Sequence, residues 1–204
     1  GRKRDMIVAQ KEGIASHAAP PSMVRVAGGG IAGCAAAYSL ARRGINVELY
    51  EPSGIAAGAS GNVAGALYPI LHKQMSPAMH GHLDALRYLG PLLATHPAPH
   101  ALCGMIKLPV DAENETLLRG LPERLGLPPE SLCWLEPDAA SEIAGIRLQS
   151  GGLHLPRSGW VDVPALCRAL IDHPQITLHP RALAPDEAPI PTLLANGTAA
   201  TEWL

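Results

Sequence analysis

An α/β fold is predicted by three stretches of this 204-residue chain. MVRVA, residues 23–27, is a short apolar strand; GGGIAGCAAAYSLARRG, 28–44, is a turn running into a helix; INVELYE, 45–51, is a second strand in which valine and leucine alternate with polar residues. Strand, helix and strand at these lengths form a βαβ unit, which places parallel strands side by side under a covering helix.

The remaining elements follow in chain order. Residues 1–22 read as a linker: basic GRKRD, a short apolar MIVA, then small residues ending in a double proline. Gly44 after Arg42 and Arg43 supplies a helix stop with cations at the negative end of the helix dipole. A long loop of small side chains, PSGIAAGASGNVAGALYP, comes next, followed by a helix in PAMHGHLDALRYLGPLL. GMIKLPV is a strand, DAENETLLRGLPERLG a helix with an acidic start, and LEPDAASEIAG a short helix. IRLQSGGLHLP is expected to form paired strands around Gly151 and Gly152, VPALCRALI a helix with an apolar face, and ITLHP and PTLLANG closing strands.

Composition narrows the function classes. The apolar share of 47% and the 21 glycines and 20 prolines suit a globular chain, and the net charge of −2 offers no overall field for nucleic acid. Phenylalanine is absent, so the core falls to Ala, Leu, Val and Ile. Cys34, Cys103, Cys133 and Cys167 are widely spaced without a CxxC pair and read as reduced structural thiols. No apolar run approaches a membrane span and no metal cluster is visible, since His80 and His82, two apart on a helix, cannot share a face. A cytoplasmic protein is expected.

Gly28, Gly30 and Gly33 form GxGxxG after a strand and at a helix start. That spacing lets the chain turn at Gly28, lets a pyrophosphate approach at Gly30 and lets the helix pack closely at Gly33, so a Rossmann-like dinucleotide site is expected. Glu51 ends the second strand, where a carboxylate accepts both ribose hydroxyls and disfavours a 2′-phosphate. NAD and FAD remain as cofactors on these residues alone. GASGNVAG, residues 58–65, adds a loop with a hydroxyl at Ser60 and an amide at Asn62, able to lay backbone N–H groups along a phosphate chain.

EP followed by GASGN and GALYP resembles the FAD-binding segment of the glycine-oxidase/D-amino-acid-oxidase flavoproteins. GASGNVAGALYPILHK is similar, within them, to the oxidoreductase half of the bifunctional enzymes that complete 5-methylaminomethyl-2-thiouridine at the tRNA wobble position. GRKRDM resembles the end of the methyltransferase domain that precedes it there, LPRSGWVDVPALCRAL the family's Gly-Trp segment, and TLLANG its strand and turn back to the cofactor.

The resemblance implies an α/β, Rossmann-like FAD-binding domain of the glutathione-reductase/DAO type, incomplete at its C-terminus. Residues 1–22 would be the end of a methyltransferase domain plus linker, and 23–204 the N-terminal portion of the oxidoreductase domain. FAD would be held by Gly28, Gly29, Gly30, Gly33, Glu51, Gly58, Ala59, Ser60, Gly61 and Asn62, with no metal. The implied activity is oxidation of the secondary amine of 5-carboxymethylaminomethyluridine in tRNA, imine hydrolysis and loss of glyoxylate, before a methyltransferase using S-adenosylmethionine acts. No catalytic residue is assigned; Tyr68, His72 and Lys73 follow the flavin loop, and Lys73 matches a lysine of the family segment. Arg2, Lys3 and Arg4 read as a solvated tail or as contacts to tRNA phosphates, and Trp160 as a core anchor rather than a base-stacking ring. Two other readings stand beside this one: a small-molecule amine oxidase of the glycine-oxidase type, and a catalytically incomplete FAD-binding remnant, since the family continues well beyond its ANG turn.

Overall fold

The computed structural model describes residues 19–184, 190–197 and 200. Arg2, Lys3, Arg4 and most of the 1–22 segment lie outside the described residues. In chain order the elements are β1 (Met23–Ala27), α1 (Ile31–Ala41), β2 (Asn46–Tyr50), β3 (Gly65–Leu67), α2 (Pro77–Thr95), β4 (His100–Ala101), β5 (Met105–Lys107) and α3 (Ala112–Arg119). Then come α4 (Leu121–Leu125), β6 (Cys133–Leu135), α5 (Pro137–Ala144), β7 (Gly152–Leu155), β8 (Gly159–Val161), α6 (Val163–Ile171), β9 (Ile176–His179) and β10 (Thr192–Leu194).

The predicted βαβ unit forms the centre of a parallel sheet in the order β10-β1-β2-β9. Val24 and Val26 on β1 and Val47 and Leu49 on β2 are buried. Between them Arg25 stands opposite Glu48 in register, and its Nε donates to Glu48 Oε2 at 3.0 Å. Helix α1 buries Gly33, Cys34, Ala37 and Ala41, a stripe at helical spacing made only of small residues. That smallness lets α1 lie close to the sheet, and Leu166, Cys167 and Leu170 of α6 pack into the same core.

Two antiparallel sheets extend the molecule: β3-β8-β4 and β5-β7-β6. The second carries its own core, with Met79 of α2, Leu118 of α3, Leu121 and Leu125 of α4, Leu132, Leu153 and Leu155 packed together. Burying each such side chain stabilises the fold by about 1.5–3 kcal/mol.

Three expectations change here. The stretch 146–156 does not fold back on itself; β7 instead runs between Met105–Lys107 and Cys133–Leu135, partners distant in sequence. The helix expected over 111–126 breaks at Gly120, because Pro122 has no N–H to continue the ladder, and α4 restarts from there. Trp160 is no core anchor: it sits on the outward face of β8 between Ala66 and Ala101 and is 37% exposed.

Candidate cofactor site

A parallel sheet whose order reverses leaves a crevice where its crossovers diverge. Here β2 lies on one side of β1 and β10 on the other. A cleft of about 660 Å³ opens at the carboxyl ends of these strands, lined by Gly28, Gly30 and Ile31, by Glu51 and Ser53, by Gly58 to Ser60, and by Ala195 to Gly197.

The glycine turn forms its floor. Gly28 has φ +112°, a left-handed conformation that side chains resist, and a Cβ there would stand 2.5 Å from the Ala195 carbonyl oxygen. A Cβ at Gly33 would stand 1.8 Å from the Gly28 oxygen, so α1 can start this close to β1 only with glycine in place. Among the described residues, the N–H groups of Gly30 and Ala32 meet no acceptor, which leaves donors and the positive end of the α1 dipole facing the cleft.

The turn is clamped from two sides. Glu51 Oε2 accepts from the Gly29 N–H and Oε1 from the Ser53 N–H, each at 2.8 Å. Ser60 Oγ accepts from the Ile31 N–H at 3.0 Å, which ties the small-residue loop to the helix start and leaves the Ser60 O–H free to donate. Ala56, at φ 60°, donates to the Gly29 oxygen at 2.9 Å and completes the tie. Beneath the turn, Cys34 Sγ donates to the same oxygen at 3.4 Å. A hydrogen bond with Cys167, added to burial, pushes the Cys34 thiol well up, so it stays protonated.

Of the residues expected to hold a cofactor, Gly28, Gly30, Glu51, Gly58, Ala59 and Ser60 line this one cleft, while Gly29 and Gly33 support its floor. Gly61 and Asn62 do not line it. The Gly61 N–H closes a turn onto the Gly58 oxygen at 3.0 Å, and Asn62 Oδ1 accepts from the Ala64 N–H at 2.9 Å, so both shape the loop from behind. Lys73 lies elsewhere, in an open cavity of about 550 Å³ with Asp111, Glu113 and Arg124, and Tyr68 is exposed. His80 and His82 both fall on α2, and no group of three metal-ligating side chains occurs among the described residues. No described helix is long and apolar enough to cross a membrane.

Sequence reasoning missed Tyr50, Leu183 and Asn196 as lining residues. TLLANG marked the approach of the segment holding Asn196; nothing local marked Leu183, which reaches the cleft from the chain beyond β9. The donor set fits an FAD: unpaired N–H groups and a helix start for a diphosphate, a carboxylate with lone pairs to spare for ribose hydroxyls, and, among the described lining residues, no cation for a 2′-phosphate.

Comparison with known proteins identifies the family. The family model for FAD dependent oxidoreductases matches residues 23–175. The protein named tRNA 5-methylaminomethyl-2-thiouridine biosynthesis bifunctional protein MnmC is 40% identical over 182 residues in Methylobacillus flagellatus, covering 87% of this chain and 28% of that protein. The protein of that name in Chromobacterium violaceum is 43% identical over 159 residues, covering 75% and 24%. The chain thus spans less than a third of the length of these curated relatives. Among solved structures, glycine oxidase from Geobacillus kaustophilus superposes with a TM-score of 0.72 at 22% identity, covering 88% of this chain and 56% of that one. Iminodiacetate oxidase from Chelativorans sp. superposes with a TM-score of 0.66 at 23% identity, covering 88% and 56%.

Proposed function

This chain belongs to the FAD dependent oxidoreductase family, and from that premise we propose that it supplies the FAD-binding portion of an enzyme acting on tRNA. The reaction is oxidative removal of the carboxymethyl group from 5-carboxymethylaminomethyluridine, with or without the 2-thio group, at the wobble position. The observation that carries the reading is the likeness, over most of this chain, to relatives named tRNA 5-methylaminomethyl-2-thiouridine biosynthesis bifunctional protein MnmC. In this proposal residues 1–22 are the end of a methyltransferase domain plus linker, residues 23–204 belong to the oxidoreductase domain, and the protein works in the cytoplasm.

When bound, FAD supplies the acceptor for the two electrons removed from the substrate amine. The residues of this chain bind and orient. Gly30 and Ala32 offer their backbone N–H groups, and α1 its positive end, to the diphosphate. A carboxylate has about four lone-pair sites; Glu51 spends two on Gly29 and Ser53 and keeps the rest for ribose hydroxyls. Ser60 holds the helix start in place, and Gly58 and Ala59 leave the entrance open.

A chimera tests the proposal, with this chain replacing the matching segment of the Methylobacillus flagellatus protein. The expected result is flavin absorbance that survives desalting, and tRNA whose carboxymethylaminomethyl nucleoside is converted to the aminomethyl form by mass spectrometry of digests. A chimera that keeps its flavin and oxidises glycine but not tRNA would overturn the substrate in favour of a small-molecule amine. A folded, colourless chimera would overturn the cofactor assignment itself.

A further inference from the structure

β8 turns its one large side chain outward. Trp160 stands between Ala66 of β3 and Ala101 of β4, and a methyl group on either side is too short to cover an indole. The ring therefore stays exposed, although few side chains gain more from burial. Tyr68 directly follows β3, the strand beside Trp160, and is more exposed still. These rings adjoin the cofactor loop. Ser60 lines the cleft, β3 begins a few residues later at Gly65, and between them the Asn62 oxygen accepts from the Val163 N–H at 3.3 Å, just beyond β8.

A small hollow next to the rings supplies charge of one sign. Among the described residues its lining holds two cations, Arg87 and Arg157, and no acid, whereas the cofactor cleft holds only an acid and the cavity at Lys73 sets acids against cations. Arg157 is exposed and pairs with no carboxylate among the described residues. Arg87 meets Asp84 at 3.0 Å, but both are open to water, and such a pair contributes little. Rings and cations are joined through the chain: Pro69 on the hollow follows Tyr68, and Arg157 precedes Trp160 across the turn into β8. An exposed indole takes a flat partner and an unpaired guanidinium takes an anion. Unpaired nucleotides carry both, a base with free faces and a phosphate, whereas a duplex keeps its bases stacked on one another. With a net charge of −2 the chain has no overall attraction for RNA, so a contact must be made by a local patch of this kind.

We propose that this face holds the unpaired loop of a tRNA, with a base laid on Trp160 beside Tyr68 and the neighbouring phosphates on Arg157 and Arg87. This rests on the reading of the chain as part of an enzyme acting on tRNA. The four side chains bind in this assignment, and no step of the chemistry passes through them.

The test titrates the 204-residue chain with two fluorescein-labelled RNAs over a salt series: an anticodon stem-loop with uridine at the wobble position, and a fully paired duplex of the same length. The native chain is expected to prefer the stem-loop. Trp160→Ala should weaken the stem-loop about tenfold to a hundredfold, the range of one base–aromatic stack, and leave the duplex unchanged; Trp160→Tyr should restore most of the loss. Arg157→Gln should lower the slope of log affinity against log salt by about 0.7, the share of one single-strand phosphate, and Arg157→Lys should keep it. All four variants should retain native FAD affinity and unfolding temperature, because these side chains are exposed and lie outside the cleft lining. Equal stem-loop affinity in the native chain, Trp160→Ala and Arg157→Gln would overturn this surface and leave the tRNA reading in place. A native chain that binds neither RNA, or binds the duplex as tightly as the loop, would also overturn it, and turnover of tRNA by the chimera then decides the tRNA reading separately. A loss of FAD in Trp160→Ala as large as its loss of RNA would assign the indole to the flavin and overturn the RNA surface.

Discussion

Glu51 holds the turn as well as facing the cleft, so its removal has two separable effects. Replacing it with alanine strips the Gly29 and Ser53 N–H groups of their acceptor. Losing hydrogen bonds to a charged group at this half-buried place costs about 2 kcal/mol, or about 4–8 °C in unfolding temperature for a chain of this size. Calorimetry of ligand-free Glu51→Ala should show that loss, and titration with FAD should show a further loss of affinity; an unchanged unfolding temperature would mean that the clamp contributes nothing. Gly33→Ala acts through sterics alone. Its Cβ would meet the Gly28 oxygen at 1.8 Å, and that oxygen is backbone that cannot swing aside. The expected cost is about 3 kcal/mol or more, visible as an earlier denaturation midpoint with or without cofactor.

Among the elements, the β1-β2 pair and the α1-α6 pair make the clearest predictions. Arg25 on β1 holds the Glu48 carboxyl on β2 below the usual carboxylate range, first through its hydrogen bond to Glu48, with the Tyr50 hydroxyl adding to the effect. A depressed carboxylate contributes stability that is present above its unfolded pKa, about 4.3, and is lost as pH falls through the lower folded value. Glu48→Gln should therefore cost about 1 kcal/mol near neutrality and flatten the acid limb of a stability-against-pH curve; an unaltered limb would discount the pair. Between α1 and α6, Cys34 and Cys167 are buried, while Cys103 is exposed and Cys133 lies between, its thiol pushed up by burial. A disulfide reagent should label Cys103 first, Cys133 slowly, and Cys34 and Cys167 only on unfolding, with tryptic mapping to assign each. Early labelling of Cys34 would show the helix pair to be loosely packed. The same elements show what a linear reading can see. β1, α1 and β2 are adjacent in sequence and carry their own periods, so they are legible; β3, β4, β6 and β8 are only two or three residues long and exist because of distant partners such as Val161 for Gly65 and His154 for Cys133. Trp160 was misjudged for the same reason, since its outward face is set by Ala66 and Ala101 and not by the helix that follows it.

At the scale of the whole molecule, the site joins what the sequence makes legible to what only the fold brings in. Gly28, Gly30, Glu51 and Ser60 announce themselves by spacing, whereas Leu183 enters from the chain beyond β9, which pairs with β2, and Asn196 from the end of β10, which pairs with β1. Among the described residues, the lining of the assembled cleft carries one carboxylate and no cation. Coulombic attraction between exposed charges is screened over about 10 Å at 0.1 M salt, whereas hydrogen bonds from fixed backbone donors and the local field of a helix start are short-ranged. FAD should therefore bind this chain with an affinity that changes less than about twofold between about 0.05 and 0.5 M salt, in contrast to sites that neutralise phosphates with lysine or arginine. At a hundredfold excess over the dissociation constant, binding should also stabilise the fold by about 2.7 kcal/mol. Fluorescence titration across a salt series, paired with calorimetry at saturating FAD, checks both. A steep fall of affinity with salt would mean that a cation outside this lining reaches the diphosphate, and the assignment of that contact to the backbone donors of the glycine turn and helix start would have to give way to it.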